Sequence, residues 1–358
     1  MTTDREAMEL ALRLAWRGWG RVGTNPMVGA IVLKNGEVVG EGWHAEFGGP
    51  HAEVAALQKA GEKARGGDLV VTLEPCRHHG KTPPCIAAIL EHGIRRVVFA
   101  AEDVDPKARG GALHLRTAGV TVQTGLLADE VRRQNALFFY RHTPATRPFV
   151  ALKLATSLDA CIADGSGRSK WITGEESRAF VQWLRAGFDA IAVGLGTVRA
   201  DNPSLTVRGD VAPLVTPKRV IFDREAATPL ASDVVKSARQ TPTLVVAEPG
   251  APDARIAALA KAGVEVVVAE GPMAQLAELK TRGVGSILVE GGGILAGRFI
   301  EAGVIDRIFL LQAPILLGAT GVPAFGALDG VSLETVKPWT VSGRRTLGAD
   351  ALTVLDRP

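Results

Sequence analysis

No apolar run in the 358 residues approaches the roughly 20 that a membrane-spanning helix needs, so a membrane-embedded chain is not expected. The opening stretch, MTTDREAMELALRLAWRGWG, lacks the positive-then-apolar order of a signal peptide and reads instead as an amphipathic helix. Charge of one sign is missing too: 41 Lys and Arg face 38 Asp and Glu, a net charge of +3. The balance is even along the chain, with 18 basic and 16 acidic residues before Arg147 and 23 and 22 from there onward. Neither half carries the basic excess of a nucleic-acid footprint. Three cysteines are too few for a disulfide framework, and with no export signal they are expected to be reduced. Metal binding or catalysis is then the better use for them. Internal repeats and low-complexity segments are absent. These exclusions leave a cytoplasmic globular protein, 46% hydrophobic and 22% charged, long enough for two cores.

What is present alternates between strand and helix. MVGAIVLKNGEVVGEGWH, from Met27, has two β-rich runs flanking Asn35-Gly36, a tight-hairpin signal. A helix is expected from Pro50 through HAEVAALQKAG, with proline at its start and glycine at its end. The strand DLVVTLEP, the helix CIAAILEHG, the strand RRVVFAAED, the helix GALHLRTAG and the strand VTVQTG follow. One last helix is expected through LADEVRRQNALFFYRH. RHTPATRP, residues 141–148, is polar with two prolines and reads as a linker. Beyond it the pattern restarts: FVALKLATSLDACIA as strand and turn, TGEESRAFVQWLRAGFD as helix, AIAVGLGTV as a buried strand. KRVIFD, TLVVAE, VEVVVAE, RIFLLQAPILLG and ALTVLDRP are further strands. Such alternation predicts two α/β domains with largely parallel sheets, divided as residues 1–146 and 147–358.

Chemistry concentrates in two places. His51 and Glu53 open one helix, and Cys76 and Cys85 lie in LEPCRHHGKTPPC. One nitrogen and two sulfurs suit zinc, and three protein ligands leave a fourth position for water, the mark of a catalytic site. Glu53, two residues past His51, is placed to carry a proton without being a ligand. His78 and His79, in the loop between the cysteines, are expected to line the cleft or face solvent. The second place is LVEGGGILAGRFIEAG, where a strand passes through glycines into a helix whose N-terminal N–H groups suit a phosphate. It does not match G-x-G-x-x-G, so a standard dinucleotide fold is not indicated.

NPMVGAIV, GEGWHAEFGGPHAEVAAL and LEPCRHHGKTPPC resemble the deaminase half of the bifunctional deaminase–reductase family of riboflavin biosynthesis. The resemblance implies a cytidine-deaminase-like three-layer α/β/α domain with zinc on His51, Cys76 and Cys85 and Glu53 as the catalytic proton shuttle. It further implies that Asn25, His44 and Lys81 contact a phosphoribosylated pyrimidine. Eight residues separate the cysteines, where nucleoside and nucleic-acid deaminases have two, and the longer loop carries Lys81, a cation able to meet a phosphate.

KLATSLDACIA, SKWITGEESR, GLGTVRADNPSLTVR and LVEGGGILAGRF occur in the order of the family's reductase half, which implies a dihydrofolate-reductase-like α/β domain using NADPH. Carried over position by position, the cofactor would touch Ala155, Trp171, Thr197, Asp201 and Asp223. It would also touch the turn of Gly292, Gly293, Ile294, Leu295, Ala296, Gly297 and Arg298. The substrate would touch Ser169, Arg185, Leu205, Arg208 and Glu290, with Lys153 near the reacting carbon. Arg185 and Arg208 are the expected forks for a sugar phosphate, and Lys153 or Glu290 the expected proton handlers. One departure stands out: Ala160 replaces the usual glycine after Ser-Leu-Asp, followed by Cys161, read as a small buried residue. The expected partners are a small-molecule substrate and other copies of the chain, with no nucleic acid or membrane. Two rival readings are a nucleoside or tRNA deaminase with an appended domain and a zinc-stabilised nucleotide-binding regulator. The near-neutral first half and the long cysteine spacing oppose the first. Glu53 and the absence of a fourth ligand oppose the second.

Overall fold

The computed structural model describes every residue except 210, 327, 331, 335 and 358. The chain divides into two compact units, Met1–Pro144 and Ala145–Pro358. In the first, α1 (Asp4–Ala15), β1 (Gly29–Lys34), β2 (Glu37–Trp43), α2 (Ala52–Ala60), β3 (Asp68–Leu73), α3 (Cys85–Glu91), β4 (Arg96–Ala101), α4 (Gly111–Thr117), β5 (Thr121–Thr124), α5 (Ala128–Gln134) and α6 (Ala136–Arg141) follow in order. Its five-stranded sheet runs β2-β1-β3-β4-β5. The hairpin makes β2 and β1 antiparallel, and β1 is antiparallel to β3, while β3, β4 and β5 are parallel. Asn35 and Gly36 close the hairpin at φ 53° and 80°, as the Asn-Gly pair requires.

Why α1 forms is local: Thr3 and Glu6 make a reciprocal cap at its start, and Ala7, Met8, Ala11 and Leu14 form the buried stripe. Its neighbour is α5, tied by the Gln134 amide donating to Leu12 O at 2.8 Å. The single long helix expected for 127–142 is broken at Asn135, which has φ −99° and ψ 28°. The cause is a stronger local demand. The Asn135 side chain accepts the Met27 N–H at 2.7 Å and donates to Met27 O at 3.0 Å, pairing with an isolated stretch of backbone as another strand would.

The second unit contains β6 (Phe149–Thr156), β7 (Cys161–Ala163), α7 (Glu175–Arg185), β8 (Ala190–Gly194), α8 (Leu195–Asp201), β9 (Lys218–Phe222), α9 (Asp233–Lys236), β10 (Thr243–Ala247) and α10 (Asp253–Ala262). It continues with β11 (Glu265–Val268), α11 (Gly271–Thr281), β12 (Ser286–Glu290), α12 (Gly293–Glu301), β13 (Arg307–Gln312), β14 (Val322–Pro323), β15 (Thr340–Leu347) and β16 (Asp350–Asp356). Nine strands form one sheet in the order β11-β10-β9-β8-β12-β6-β13-β16-β15. It is parallel from β11 to β13, and β16 and β15 add antiparallel at one edge. Side chains alternate as a pleat dictates: Ala190, Ala192, Leu244 and Val246 join one core, and Ile191, Val193, Val245 and Ala247 the other. AIAVGLGTV is not all strand; it leaves the sheet at Gly194 and continues as α8, so Thr197 lies on a helix over the strand ends. β15, which lies in a polar, mostly exposed stretch, escaped the sequence reading.

Ala160 occupies the left-handed region at φ 60°, its N–H bonded to Ser157 O at 3.1 Å. The turn is therefore the one a glycine would make, held here by an alanine at some steric cost. Ala160→Gly is expected to stabilise this unit by about 0.5 kcal/mol, the relief of strain being partly offset by unfolded-state entropy. A denaturant midpoint below wild type would show that the strain is not there.

Candidate active sites

The first site is assembled at the edge where α2 meets β3 and α3. His51 is the N-cap residue of α2 and Glu53 lies in its first turn. α2 packs so closely on β2 that a Cβ on Gly42 would sit 2.3 Å from Ala52 O. Cys76 follows the end of β3, and Cys85 is the first residue of α3. His51 Nδ1 stands 3.1 Å from Cys85 Sγ and 3.5 Å from Cys76 Sγ, with the sulfurs 3.5 Å apart. Tetrahedral zinc, with bonds of about 2.3 Å to sulfur and 2.0 Å to nitrogen, would separate these ligands by roughly 3.5–3.8 Å. The three donors fit. Among the described residues they are the one such cluster of His, Cys and carboxylate groups.

Electrostatics point the same way. A hydrogen bond from Cys85 holds the Cys76 thiol down to about 4, while that bond and burial push Cys85 up. Two sulfurs this close do not both ionise without a cation beside them, which a divalent metal would supply. Glu53 is 4% exposed, and burial pushes its carboxyl up to about 7. His44 Nδ1 lies 3.0 Å from Pro50 O, an atom that only accepts, so Nδ1 carries the proton and Nε2 receives Asn25 Nδ2 at 3.2 Å. Burial lowers the His44 pKa, keeping the ring neutral. Lys81 Nζ rests 4.2 Å from the centroid of the Phe47 ring.

These side chains, save the deeper Cys85, line a cavity of about 430 Å³. His78 lines it and His79 is exposed, as expected. Sequence reasoning missed four contributors. Asp103, just past β4, also lines the cavity, its carboxyl pushed up to about 6 by burial. The rule that sites gather at the carboxyl ends of parallel strands would have found it. Arg141 and His142 reach the cavity from the segment read as linker. Glu74 is buried, and its carboxylate takes N–H groups from Gly110, Ala112 and Asp103 at 3.1, 3.0 and 3.3 Å. This pins the turn that presents Cys76.

The second site lies at the carboxyl ends of β6, β8, β9 and β12, in a cavity of about 1710 Å³. Lys153 and Glu290 are register partners on neighbouring strands. The Arg185 fork is directed at Glu290, Nε to Oε1 at 2.6 Å and Nη2 to Oε2 at 2.9 Å, and Nη1 donates to Thr206 O at 2.9 Å. The fork read as a phosphate clamp is thus committed to a buried carboxylate. Burial alone would raise the Glu290 pKa, but Arg185 outweighs it and the net shift is downward. Burial lowers the Lys153 pKa, and Arg185 adds to that effect. Arg208 fits the free-cation reading better: its guanidinium makes no hydrogen bond or ion pair among the described residues, and only its N–H is bonded, to Gln182.

Ala155, Ser169, Trp171, Thr197, Asp201, Leu205, Asp223, Gly292, Gly293, Ile294, Leu295 and Arg298 all line this cavity. Ser169 donates to Asp201 at 3.1 Å, and Arg298 pairs with Glu248 at 2.9 Å. Asp223 is turned inward, accepting the Thr228 hydroxyl at 2.7 Å. Ala296 and Gly297 do not reach the cavity, because the helical period of α12 turns them into the core. The turn before α12 has Gly291 at φ 72° and Gly292 at φ 81°, opposite Thr197. It leaves backbone N–H groups open at a helix start, the cradle a cofactor phosphate requires.

A zinc-binding deaminase followed by a dihydrofolate-reductase-like domain with a nucleotide-sized cleft is the class these two sites define. Residues 1–101 match the cytidine and deoxycytidylate deaminase zinc-binding region, and residues 148–347 match the RibD C-terminal domain. The chain is 40% identical to the riboflavin biosynthesis protein RibD of Bacillus amyloliquefaciens over 92% of its own length and 89% of the other's. It is 42% identical to that of Aquifex aeolicus, over 88% of each. Among solved structures it resembles the Thermotoga maritima diaminohydroxyphosphoribosylaminopyrimidine deaminase/5-amino-6-(5-phosphoribosylamino)uracil reductase, with TM-score 0.81, 35% identity and 99% of each chain covered. Acinetobacter baumannii RibD gives TM-score 0.80 and 35% identity over 99% and 98% of the two chains. The chain belongs to the RibD family and is a bifunctional deaminase and reductase of riboflavin biosynthesis. Among the described residues no helix is long and apolar enough to cross a membrane.

Proposed function

We propose that the unit at residues 1–146 hydrolyses the 2-amino group of 2,5-diamino-6-(5-phosphoribosylamino)pyrimidin-4(3H)-one. The unit at 147–358 then reduces the ribosyl group of the product to ribityl with NADPH, the two acting in the cytoplasm. The observation that carries the reading is the coexistence of the His51–Cys76–Cys85 cluster beside buried Glu53 with the Lys153–Glu290–Arg185 group beside a glycine-lined anion cradle.

Zinc held by His51, Cys76 and Cys85 would make water nucleophilic near neutral pH. Glu53 takes the proton released by that water and passes it to the departing amine nitrogen. Its buried carboxyl, with a raised pKa, exchanges protons readily near pH 7. Neutral His44 and Asn25 fix the edge of the pyrimidine, and the Asp103 carboxyl is placed to accept ring N–H groups. Lys81, at the rim, meets the ribose phosphate. In the second unit NADPH would supply the hydride. Lys153 delivers a proton to the ribose ring oxygen as the ring opens, and Glu290 with Arg185 holds that lysine in register beneath the reacting carbon. Arg208 pairs with the sugar phosphate.

Incubating the purified protein with the diaminopyrimidinone ribotide, with and without NADPH, and following product masses tests the whole scheme. Deaminated ribotide should accumulate without NADPH, and the ribityl product should appear only with it. No mass change in either arm would dismiss the scheme. For the ligand set, Cys76→Ser is expected to lower bound zinc to a small fraction of one equivalent and abolish deamination, with reduction of supplied deaminated ribotide unchanged. Full zinc in that variant would remove Cys76 from the ligands.

A further inference from the structure

Arg219, in β9, is the largest fully buried side chain and is 1% exposed. Among the described residues no carboxylate pairs with it. Its five N–H donors meet five oxygens: Thr243 Oγ1 at 2.9 Å, Ser237 Oγ at 2.7 Å, Val234 O at 3.0 Å, Thr241 O at 2.9 Å and Ser204 O at 3.3 Å. Burying a guanidinium without a counter-ion is costly, and a hydrophobic side chain would fill the space at less expense. The arrangement makes sense through what it holds. Four of the acceptors, Val234 in α9, Ser237 just after it, Thr241 and the first residue of β10, Thr243, stand away from the cavity. The fifth belongs to the loop after α8, which lines the reductase cavity.

That loop is under strain. Leu205 adopts φ 50°, a conformation that a branched side chain keeps only when its surroundings impose it, while Asn202, at φ 43°, is the left-handed cap that ends α8. Asn202 Oδ1 is fixed by the N–H of Asp233, and Thr206 O by Arg185. Ser204 O, just before strained Leu205, is fixed by Arg219. Asn202, Ser204, Leu205 and Arg208 line the cavity; Arg219 does not.

We infer that Arg219 is a positioning residue for the reduction: it clamps the Asn202–Thr206 loop from behind, so that Leu205 and Arg208 meet the ribotide in one fixed arrangement. It acts through the loop and touches no ligand. The inference rests on the proposed reading of this cavity as the reductase site.

The test is Arg219→Lys in the full-length enzyme, assayed separately for deamination and for reduction of supplied deaminated ribotide. Lysine keeps the charge but offers three donors in place of five. The KM of the ribotide in reduction should rise about tenfold, with kcat within about threefold of wild type, because the loop orders substrate rather than transferring hydride. Zinc content and deamination should not change. Hydrogen exchange should quicken in peptides covering 202–206, while those covering β8 and β12 keep their protection. An unchanged KM, or unchanged exchange at 202–206, overturns the inference. Should the lysine variant fail to fold, Ser237→Ala removes one acceptor on the side away from the cavity. The inference then requires the same two changes at smaller amplitude, and their absence overturns it. Wild type that reduces no ribotide would sink the reading of the cavity, whereas the exchange measurement would still judge the clamp.

Discussion

Glu53→Gln is expected to keep its zinc and lose deamination by at least about a hundredfold. Glutamine matches the shape of glutamate and leaves the His51–Cys76–Cys85 donors untouched, so metal content should stay at one equivalent. What it cannot do is take a proton from water and return it to nitrogen. The substitution has a second consequence, of opposite sign. The Glu53 carboxyl is buried, and its pKa rises from 4.5 to about 7 on folding. A carboxyl whose pKa is raised in the folded state is protonated in both states below 4.5 and costs nothing there. As pH climbs from 4.5 toward about 7 the unfolded state ionises first, and the folded state is progressively penalised. Metal-free Glu53→Gln should therefore melt above metal-free wild type at pH 8, with the gap closing toward pH 4.5. Activity within tenfold of wild type would reassign the proton shuttle, and a gap independent of pH would show that the carboxyl titrates normally.

Arg185→Met should be the most damaging single change in the second unit. Arg185 is 9% exposed, and its guanidinium binds both oxygens of Glu290, itself 8% exposed. Removing one member of such a pair leaves a buried, poorly compensated carboxylate and typically costs about 3–5 kcal/mol. Thr206 O also loses its donor, which frees one end of the strained loop. The melting transition of this unit should fall by several degrees, and kcat/KM for reduction should drop at least about a hundredfold. Deamination and zinc content should be as in wild type. The double variant Arg185→Met/Glu290→Gln separates the causes: neutralising the stranded carboxylate should restore much of the stability and none of the reduction. If the double variant melts as low as the single one, the ion pair is not the source of the loss.

The clustering of His51, Cys76 and Cys85 was legible in the sequence because its spacing is local chemistry. A helix start supplies His51 and Glu53, and a strand end and the next helix start supply the cysteines. The two-unit α/β organisation was legible for a similar reason, since helical and strand periods alternate cleanly. The Arg185–Glu290 pair was not, because 105 residues separate its members in the chain and only the sheet order brings β12 beside β6 and β8. An arginine in isolation looks like a phosphate ligand; its committed partner appears only in three dimensions. Ala296 and Gly297 show the opposite error, a contiguous motif assumed to face one way when a helix turns two of its seven residues inward. Asn135 shows a third, a helix-compatible run interrupted by a side chain that answers backbone atoms far upstream.

That last contact bears on how the enzyme is made. All three donors of the candidate metal cluster precede residue 86, but the wall of the pocket that carries Asn25 is fastened through Met27 to Asn135. During synthesis the donors therefore leave the ribosome well before the residue that fastens the Asn25 wall. A nascent chain would thus expose its three candidate donors while the pocket is still open, and arrival of α6 adds Phe138 and Arg141 to the cavity lining. Fragments ending soon after β4 should behave as metal-binding peptides without a substrate cavity.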